Sequence, residues 1–111
     1  MEEELVSKKL RKLGFAVLET NGAELYLLET PYYFLVIEEV FGKYSFIKYS
    51  FNSGKKETRI VKLYFDNYSE KSMLRRVGSY IRFMIENKYL KTSNREILEF
   101  AREISETKIF V

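Results

Sequence analysis

The sequence predicts a single α+β domain over residues 1–111, with an N-terminal helix, a largely antiparallel sheet of about five to six strands, two further helices and a final strand. The hydrophobic pattern has a helical period near both ends of the chain and alternates with a period of two in between. Turn residues such as Asn21-Gly22 and Gly42 separate the alternating segments. A chain of 111 residues is long enough to bury one hydrophobic core.

Helical spacing of apolar residues predicts three helices. Gly14 provides a C-terminal stop for the first helix, because glycine readily adopts the left-handed conformation that ends helices. Ser93 and Glu96 have the spacing of a capping box, which opens the third helix. The predicted helices are Glu2–Leu13, Ser69–Tyr89 and Ser93 to about Ser105.

Alternation between apolar and polar residues predicts five strands in the middle of the chain. The segment Phe34-Leu35-Val36-Ile37 is apolar at every position, which predicts a central strand that is covered on both faces. The last residues, Lys108–Val111, return to strand character and could form an edge strand. The predicted central strands are Phe15–Thr20, Ala23–Thr30, Tyr33–Val40, Tyr44–Phe51 and Thr58–Phe65.

The composition excludes several kinds of chemistry. The chain has no Cys and no His, so it lacks disulfides, thiolate nucleophiles and the commonest general base and metal ligand. The sequence therefore predicts no catalytic residue, no metal site and no cofactor. No apolar run approaches the roughly 20 residues of a membrane span, and the acidic start is unlike a signal peptide, so we expect a cytoplasmic protein without a membrane partner. The absence of Gln and the abundance of Lys, Glu, Ile and Tyr are typical of a thermophile or of an AT-rich genome.

Basic residues are concentrated in one part of the chain. Residues 43–91 contain twelve basic and four acidic side chains, a net charge of +8, although the whole chain carries only +3. Such a block favours binding of a polyanion, because phosphate contacts release condensed counterions; the alternative is an ordinary solvated face. The candidate nucleic-acid-binding residues are Lys48, Lys55, Lys56, Lys62, Lys71, Arg75, Arg76 and Arg82.

Aromatic residues alternate with these cations in the second predicted hairpin. If the more apolar faces of its strands form the core, then Tyr44, Phe46 and Tyr64 remain on the surface beside Lys48 and Lys62. Exposed rings of this kind can stack with unpaired bases, and lysines can follow the phosphate backbone. The alternative is that these aromatic rings are buried under the C-terminal helices.

Five segments that together cover about half of the chain carry a family resemblance. They are Lys9-Leu10-Arg11-Lys12-Leu13-Gly14-Phe15-Ala16-Val17, Asn21-Gly22-Ala23-Glu24-Leu25, residues 33–40, residues 97–104 and Lys108-Ile109-Phe110-Val111. These segments resemble the nuclease-like C-terminal domain of archaeal tRNA-splicing endonucleases and, more weakly, archaeal Holliday-junction resolvases, whereas residues 41–92 match neither family. The resemblance implies a restriction-nuclease-like core.

The catalytic residues of both families are missing. The splicing family cuts with a Tyr, a His and a Lys, whose positions fall near Leu28, Pro31-Tyr32 and Glu106. The resolvases need Glu-x-Lys, and the segment Glu38-Glu39-Val40 lacks the lysine. The resemblance therefore implies a non-catalytic structural subunit that binds RNA (tRNA) or DNA within a homo- or hetero-oligomer containing a catalytic subunit.

Two other functions compete with this interpretation. One is a protein-interaction or oligomerisation module, favoured by nine Phe and nine Tyr and by the strand-like segment Lys108–Val111. The other is a Mg²⁺-dependent nuclease that uses Glu24, Glu38 and Lys48.

Overall fold

The computed structural model describes residues 5–20, 23–30, 33–51, 58–88, 90 and 95–106. It confirms the α+β class, with one helix before and two helices after a five-stranded antiparallel sheet. The elements are α1 (Val6–Lys12), β1 (Ala16–Thr20), β2 (Ala23–Glu29), β3 (Tyr33–Val40), β4 (Lys43–Phe51), β5 (Thr58–Tyr68), α2 (Glu70–Glu86) and α3 (Arg95–Glu106).

The chain divides into two compact units. The helical unit combines Met1–Phe15 with Glu70–Val111, and the sheet unit is the continuous segment Ala16–Ser69. The prediction of one domain stays a prediction. Several sequence-based predictions fall outside the described residues, namely the Asn21-Gly22 turn, the binding residues Lys55 and Lys56, the Ser93 cap and the final strand Lys108–Val111.

The sheet is a meander in which each strand pairs with its neighbours in the sequence, in the order β1-β2-β3-β4-β5. Strand β3 has the predicted bounds and pairs with β4 over its whole length, from Tyr33 opposite Ser50 to Val40 opposite Lys43. Strand β5 extends three residues beyond its predicted end, to Tyr68, and its pairing with β4 contains three register shifts. Such irregularities re-aim individual side chains along a strand.

The two faces of the sheet differ in burial. We define the first face as the one that carries Ile37 of β3, and the second face as the one that carries Val36. On the first face, Tyr26, Ile37 and Phe46 lie side by side on adjacent strands and are at most 1% exposed. On the second face, the side chains of Leu18, Ile60 and Leu63 are exposed.

Helix α1 ends as the sequence predicts. Gly14 has a φ of 104°, the N–H of Gly14 donates to the Arg11 carbonyl, and the N–H of Phe15 donates to the Leu10 carbonyl. These two bonds form a Schellman motif, in which residues on either side of the glycine make an apolar contact. Leu10 and Phe15 are accordingly buried.

Helices α2 and α3 pack against each other in the helical unit. The residues of α2 that recur with helical spacing, Met73, Val77, Ile81 and Met84, are buried. At Gly78 the α3 side chain of Ile104 approaches so closely that a Cβ atom on the glycine would lie 2.9 Å from its Cγ2. None of the described helices is long and apolar enough to cross a membrane.

Candidate nucleic-acid interface

Two lysines lie directly opposite each other on neighbouring strands of the sheet. Lys48 of β4 pairs with Lys62 of β5, and on its other side Lys48 is opposite Leu35 of β3. The Lys48 side chain is half-buried and that of Lys62 is exposed. Both lysines therefore project from the first face of the sheet, where directly opposed residues have their Cβ atoms roughly 5 Å apart.

A tyrosine ring accompanies each lysine. The Nζ atom of Lys48 lies 4.3 Å from the ring centroid of Tyr33, and the Nζ atom of Lys62 lies 5.0 Å from the ring centroid of Tyr64. Both distances are within the range of cation–π attraction, which contributes about 0.5–1 kcal/mol at exposed sites. We call Lys48, Lys62, Tyr33 and Tyr64 the lysine–tyrosine cluster.

Local contacts hold both tyrosines in position. The Thr30 hydroxyl donates to the Tyr33 carbonyl at 2.9 Å and accepts the Tyr33 N–H at 3.1 Å, which closes the end of the β2–β3 connection. Tyr64 lies at a register shift of β5, and its ring stacks on Phe46 with centroids 4.9 Å apart. Tyr33 was not among the candidate residues from the sequence; its position next to Ser50, two residues from Lys48, becomes visible only with the β3–β4 register.

No carboxylate of the described residues neutralises the charge of the cluster. Within the described ranges, neither Lys48 nor Lys62 forms an ion pair. Glu24 and Glu39, two carboxylates of the first face, lie opposite each other on β2 and β3 at the opposite end of the sheet. Since Glu39 is opposite Tyr44, four residues from Lys48, about 13 Å of strand separates them. Like charges placed opposite each other destabilise a sheet by up to about 1 kcal/mol, so the pair favours a bound anion.

Two of the three predicted stacking platforms are not on the surface. Tyr44 is 5% exposed and Phe46 is 1% exposed, so the prediction that they form exposed platforms is wrong. The physical reason is that the face with Tyr44 and Phe46 also carries Leu35 and Ile37 of β3, and this face forms the core. Tyr64 is partly exposed, and its ring contacts both Phe46 and the Lys62 ammonium.

The predicted cations of α2 form two groups. Lys71, Arg75 and Arg76 are exposed and, among the described residues, make no ion pair. Arg82 instead bonds to Glu86 at 3.0 Å and to Glu106 of α3 at 3.2 Å. Its hydrogen bond to Glu86 raises the pKa of Arg82 and lowers that of the Glu86 carboxyl. Arg82 therefore links α2 to α3.

Arg102 completes this ion-pair network. Its guanidinium contacts the carboxylate of Glu86 on α2 at 3.3 Å, so Glu86 lies between Arg82 and Arg102. Lys55 and Lys56 lie outside the described residues, and the cations of the sheet and of α2 belong to different units.

The structure does not bring together the residues of the nuclease alternative. Glu24 is opposite Glu39 and so lies on the first face, whereas Glu38 is opposite Leu25 and Ser45 and lies on the second face. Lys48 lies at the other end of the first face. In the described segments, no group of three or more metal-ligating side chains is placed to hold an ion.

Glu24 instead has a structural partner. The hydroxyl of Tyr26, two residues along β2, donates a short hydrogen bond to the Glu24 carboxylate. Tyr26 is fully buried, and its burial, together with the bond to Glu24, raises the pKa of its hydroxyl. This carboxylate therefore contributes to the packing of the sheet.

Comparisons with known proteins provide no relative. No protein-family model, curated protein or solved structure matches the chain.

Proposed function

We propose that the chain is a non-catalytic nucleic-acid-binding subunit that contacts single-stranded RNA or DNA through the lysine–tyrosine cluster. The observation that carries this proposal is the pair of opposed lysines, which repel each other, have no ion-pair partner among the described residues and each lie beside a tyrosine ring. A phosphate between the two ammonium groups relieves their repulsion. When the Lys62 ammonium moves from the Tyr64 ring to that phosphate, a neighbouring base can stack on the partly exposed ring in its place.

Single strands fit this surface better than duplexes. The bases of a duplex are stacked on each other, so their faces are hidden from an aromatic side chain, whereas the bases of a loop or a free end are accessible. The exposed cations of α2, Lys71, Arg75 and Arg76, are candidates for additional phosphate contacts. Arg82 is not, because its guanidinium is already bonded to two carboxylates.

The finer proposal is a structural subunit of a tRNA-splicing endonuclease, located in the cytoplasm and assembled with a catalytic subunit. Its support is the sequence resemblance together with the lack of the family's catalytic Tyr, His and Lys at the corresponding positions, near Leu28, Pro31-Tyr32 and Glu106. An alternative substrate is DNA, which the resolvase resemblance favours.

The decisive experiment compares two variants in a binding assay with fluorescently labelled single-stranded RNA, titrated over a series of salt concentrations. Each phosphate contact to a single strand contributes about 0.7 to the slope of log affinity against log salt, or roughly fivefold in affinity at ~0.1 M salt. We therefore expect Lys48→Gln with Lys62→Gln to weaken binding roughly 25-fold and to reduce the slope by about 1.4. The control is Lys43→Gln, an exposed lysine at the other end of β4, which should change neither quantity.

Three results would count against the proposal. The first is no binding at low salt, and the second is an unchanged slope in the double variant. The third is an equal loss in the Lys43 control. The finer proposal has a separate test, because a splicing subunit with its catalytic partner should prefer intron-containing pre-tRNA to an unstructured strand of equal length. Equal affinities would remove the splicing role and leave nucleic-acid binding in place.

A further inference from the structure

The second face of the sheet is apolar across all five strands. Its apolar members come from β1 at one edge to β5 at the other, and they follow the observed register. Among the side chains that the structure describes, the charged residues and the serine of this face lie at its ends, with Glu38, Ser45 and Asp66 at one end and Glu29 at the other. The apolar residues are Leu18, Leu25, Leu27, Phe34, Val36, Ile47, Tyr49, Ile60 and Leu63.

Solvent reaches a substantial part of this face. Leu18 is 44% exposed, Leu63 is 54% exposed and Ile60 is 60% exposed. An antiparallel sheet with one face in water normally carries polar residues on that face, so a continuous apolar face indicates a partner. The exposed apolar area is on the order of 500 Å², which is near the upper limit for the largest patch of a monomer. With its polar rim it approaches the roughly 800 Å² that each partner contributes to a standard interface.

The breadth of the face decides what kind of element can cover it. Five strands spaced about 4.8 Å apart span roughly 20 Å, whereas one helix covers a stripe about 10 Å wide. A second sheet of the same breadth covers the face completely, and sheets pack face to face at a separation of about 10 Å.

We propose that the second face binds the second face of another copy of this chain, forming a two-fold symmetric dimer with the sheets packed as a sandwich. In such an interface the same apolar patch serves both partners. The dimer leaves the lysine–tyrosine cluster, which is on the first face, outside the contact. The proposal is therefore independent of nucleic-acid binding.

The test is sedimentation equilibrium of nucleic-acid-free protein over a wide concentration range. We expect a species of twice the 13.3 kDa chain mass. Because the contact is apolar and its rim is acidic, the dimer should persist or strengthen at high salt, whereas nucleic-acid binding weakens. The variant Leu18→Lys with Leu63→Lys should weaken the dimer at least a hundredfold, because four ammonium groups, two from each copy, lose their water in an apolar contact.

Matched controls locate the contact. Phe83 of α2 is 54% exposed, the same fraction as Leu63, and Phe83→Lys should leave the dissociation constant unchanged. The chain has no cysteine, so Val36→Cys at the centre of the face can be crosslinked in the otherwise unaltered protein. A bis-maleimide about 10 Å long should join two copies through this cysteine, but should not do so through Phe83→Cys.

Two results would overturn the proposal. One is a monomer at every concentration together with no crosslinking through Val36→Cys, which would leave the face to a different partner. The other is a dimer that survives the lysine variant but is broken by Phe83→Lys, because the contact would then lie on the helical unit. Crosslinking does not depend on the folding of the lysine variant, so it tests the location independently.

Discussion

The contact between Gly78 and α3 allows a quantitative test of the packing in the helical unit. In Gly78→Ala the new methyl carbon would lie 2.9 Å from Cγ2 of Ile104, 3.2 Å from its Cβ and 3.3 Å from the carbonyl oxygen of Ala101. Two of these three atoms are close to the backbone and move little. Overpacking of this kind costs about 2–3 kcal/mol, and replacing a helical glycine by alanine returns about 1 kcal/mol, so we expect a net loss of about 1–2 kcal/mol.

The free energy of unfolding, measured by urea titration and far-ultraviolet circular dichroism, tests this expectation. Ser79→Ala is the matched control, because Ser79 is the next residue of α2 and is exposed. It should stabilise the helix by a few tenths of a kcal/mol. Ile104→Ala removes Cγ2, so the double variant with Gly78→Ala should be more stable than the sum of the single effects predicts, by about 1 kcal/mol. A Gly78→Ala protein as stable as the Ser79 control would refute the reasoning.

Two further predictions concern the sheet. Tyr26→Phe should lose about 1–2 kcal/mol at neutral pH, because the hydroxyl donates to the Glu24 carboxylate. The pKa of Tyr26 is raised in the folded state above its ordinary value of 10.0. The free energy of unfolding of the wild type should therefore fall as the pH rises above 10, and that of Tyr26→Phe should fall less. Parallel pH dependences of the two proteins in denaturant titrations would contradict this. Phe41 has a φ of 50° and its side chain is 99% exposed, and asparagine tolerates that backbone conformation better than phenylalanine does. Phe41→Asn should therefore stabilise the protein by about 0.5–1 kcal/mol and raise its melting temperature. An unchanged or lower melting temperature would show that the Phe41 ring makes a stabilising contact.

The sequence was sufficient to predict the elements and the ends that depend on special residues. Strand β3 matches its predicted bounds, and Gly14 ends α1 as expected. Both follow from local chemistry, namely the alternation of the strand and the freedom of glycine to adopt positive φ. The extension of β5 to Tyr68 was missed because Asp66 and Asn67 are typical turn residues. Asn67 does have a φ of 59°, but the strand continues past it.

The choice of the core face could not be predicted from the sequence. Strand β3 is apolar on both sides, so its pattern does not distinguish the face of Leu35 and Ile37 from the face of Phe34 and Val36. Tyr44 and Phe46 are buried because they share the face of Leu35 and Ile37, so their burial could not be predicted either.

The pairing of the cations also depends on tertiary structure. Lys48 and Lys62 were both predicted as binding residues, but their direct opposition depends on a register that shifts between Lys48 and Tyr49. The sequence does not distinguish Arg82 from Arg75. In the structure the Arg82 guanidinium bonds to Glu86 and to Glu106 of α3, whereas the Arg75 side chain is exposed.

The division of the chain has a consequence for the order in which the protein forms during synthesis. The sheet unit is one uninterrupted segment in which every strand pairs with its sequence neighbours, so it can assemble hairpin by hairpin as it leaves the ribosome. The helical unit joins residues from before and after that segment. Helix α1 is synthesised first, but it can make its contacts with α3 only after α3 has been synthesised. In a nascent chain stalled before α3, the N-terminal segment should therefore be cleaved by an added protease, whereas the same segment of the full chain should be protected.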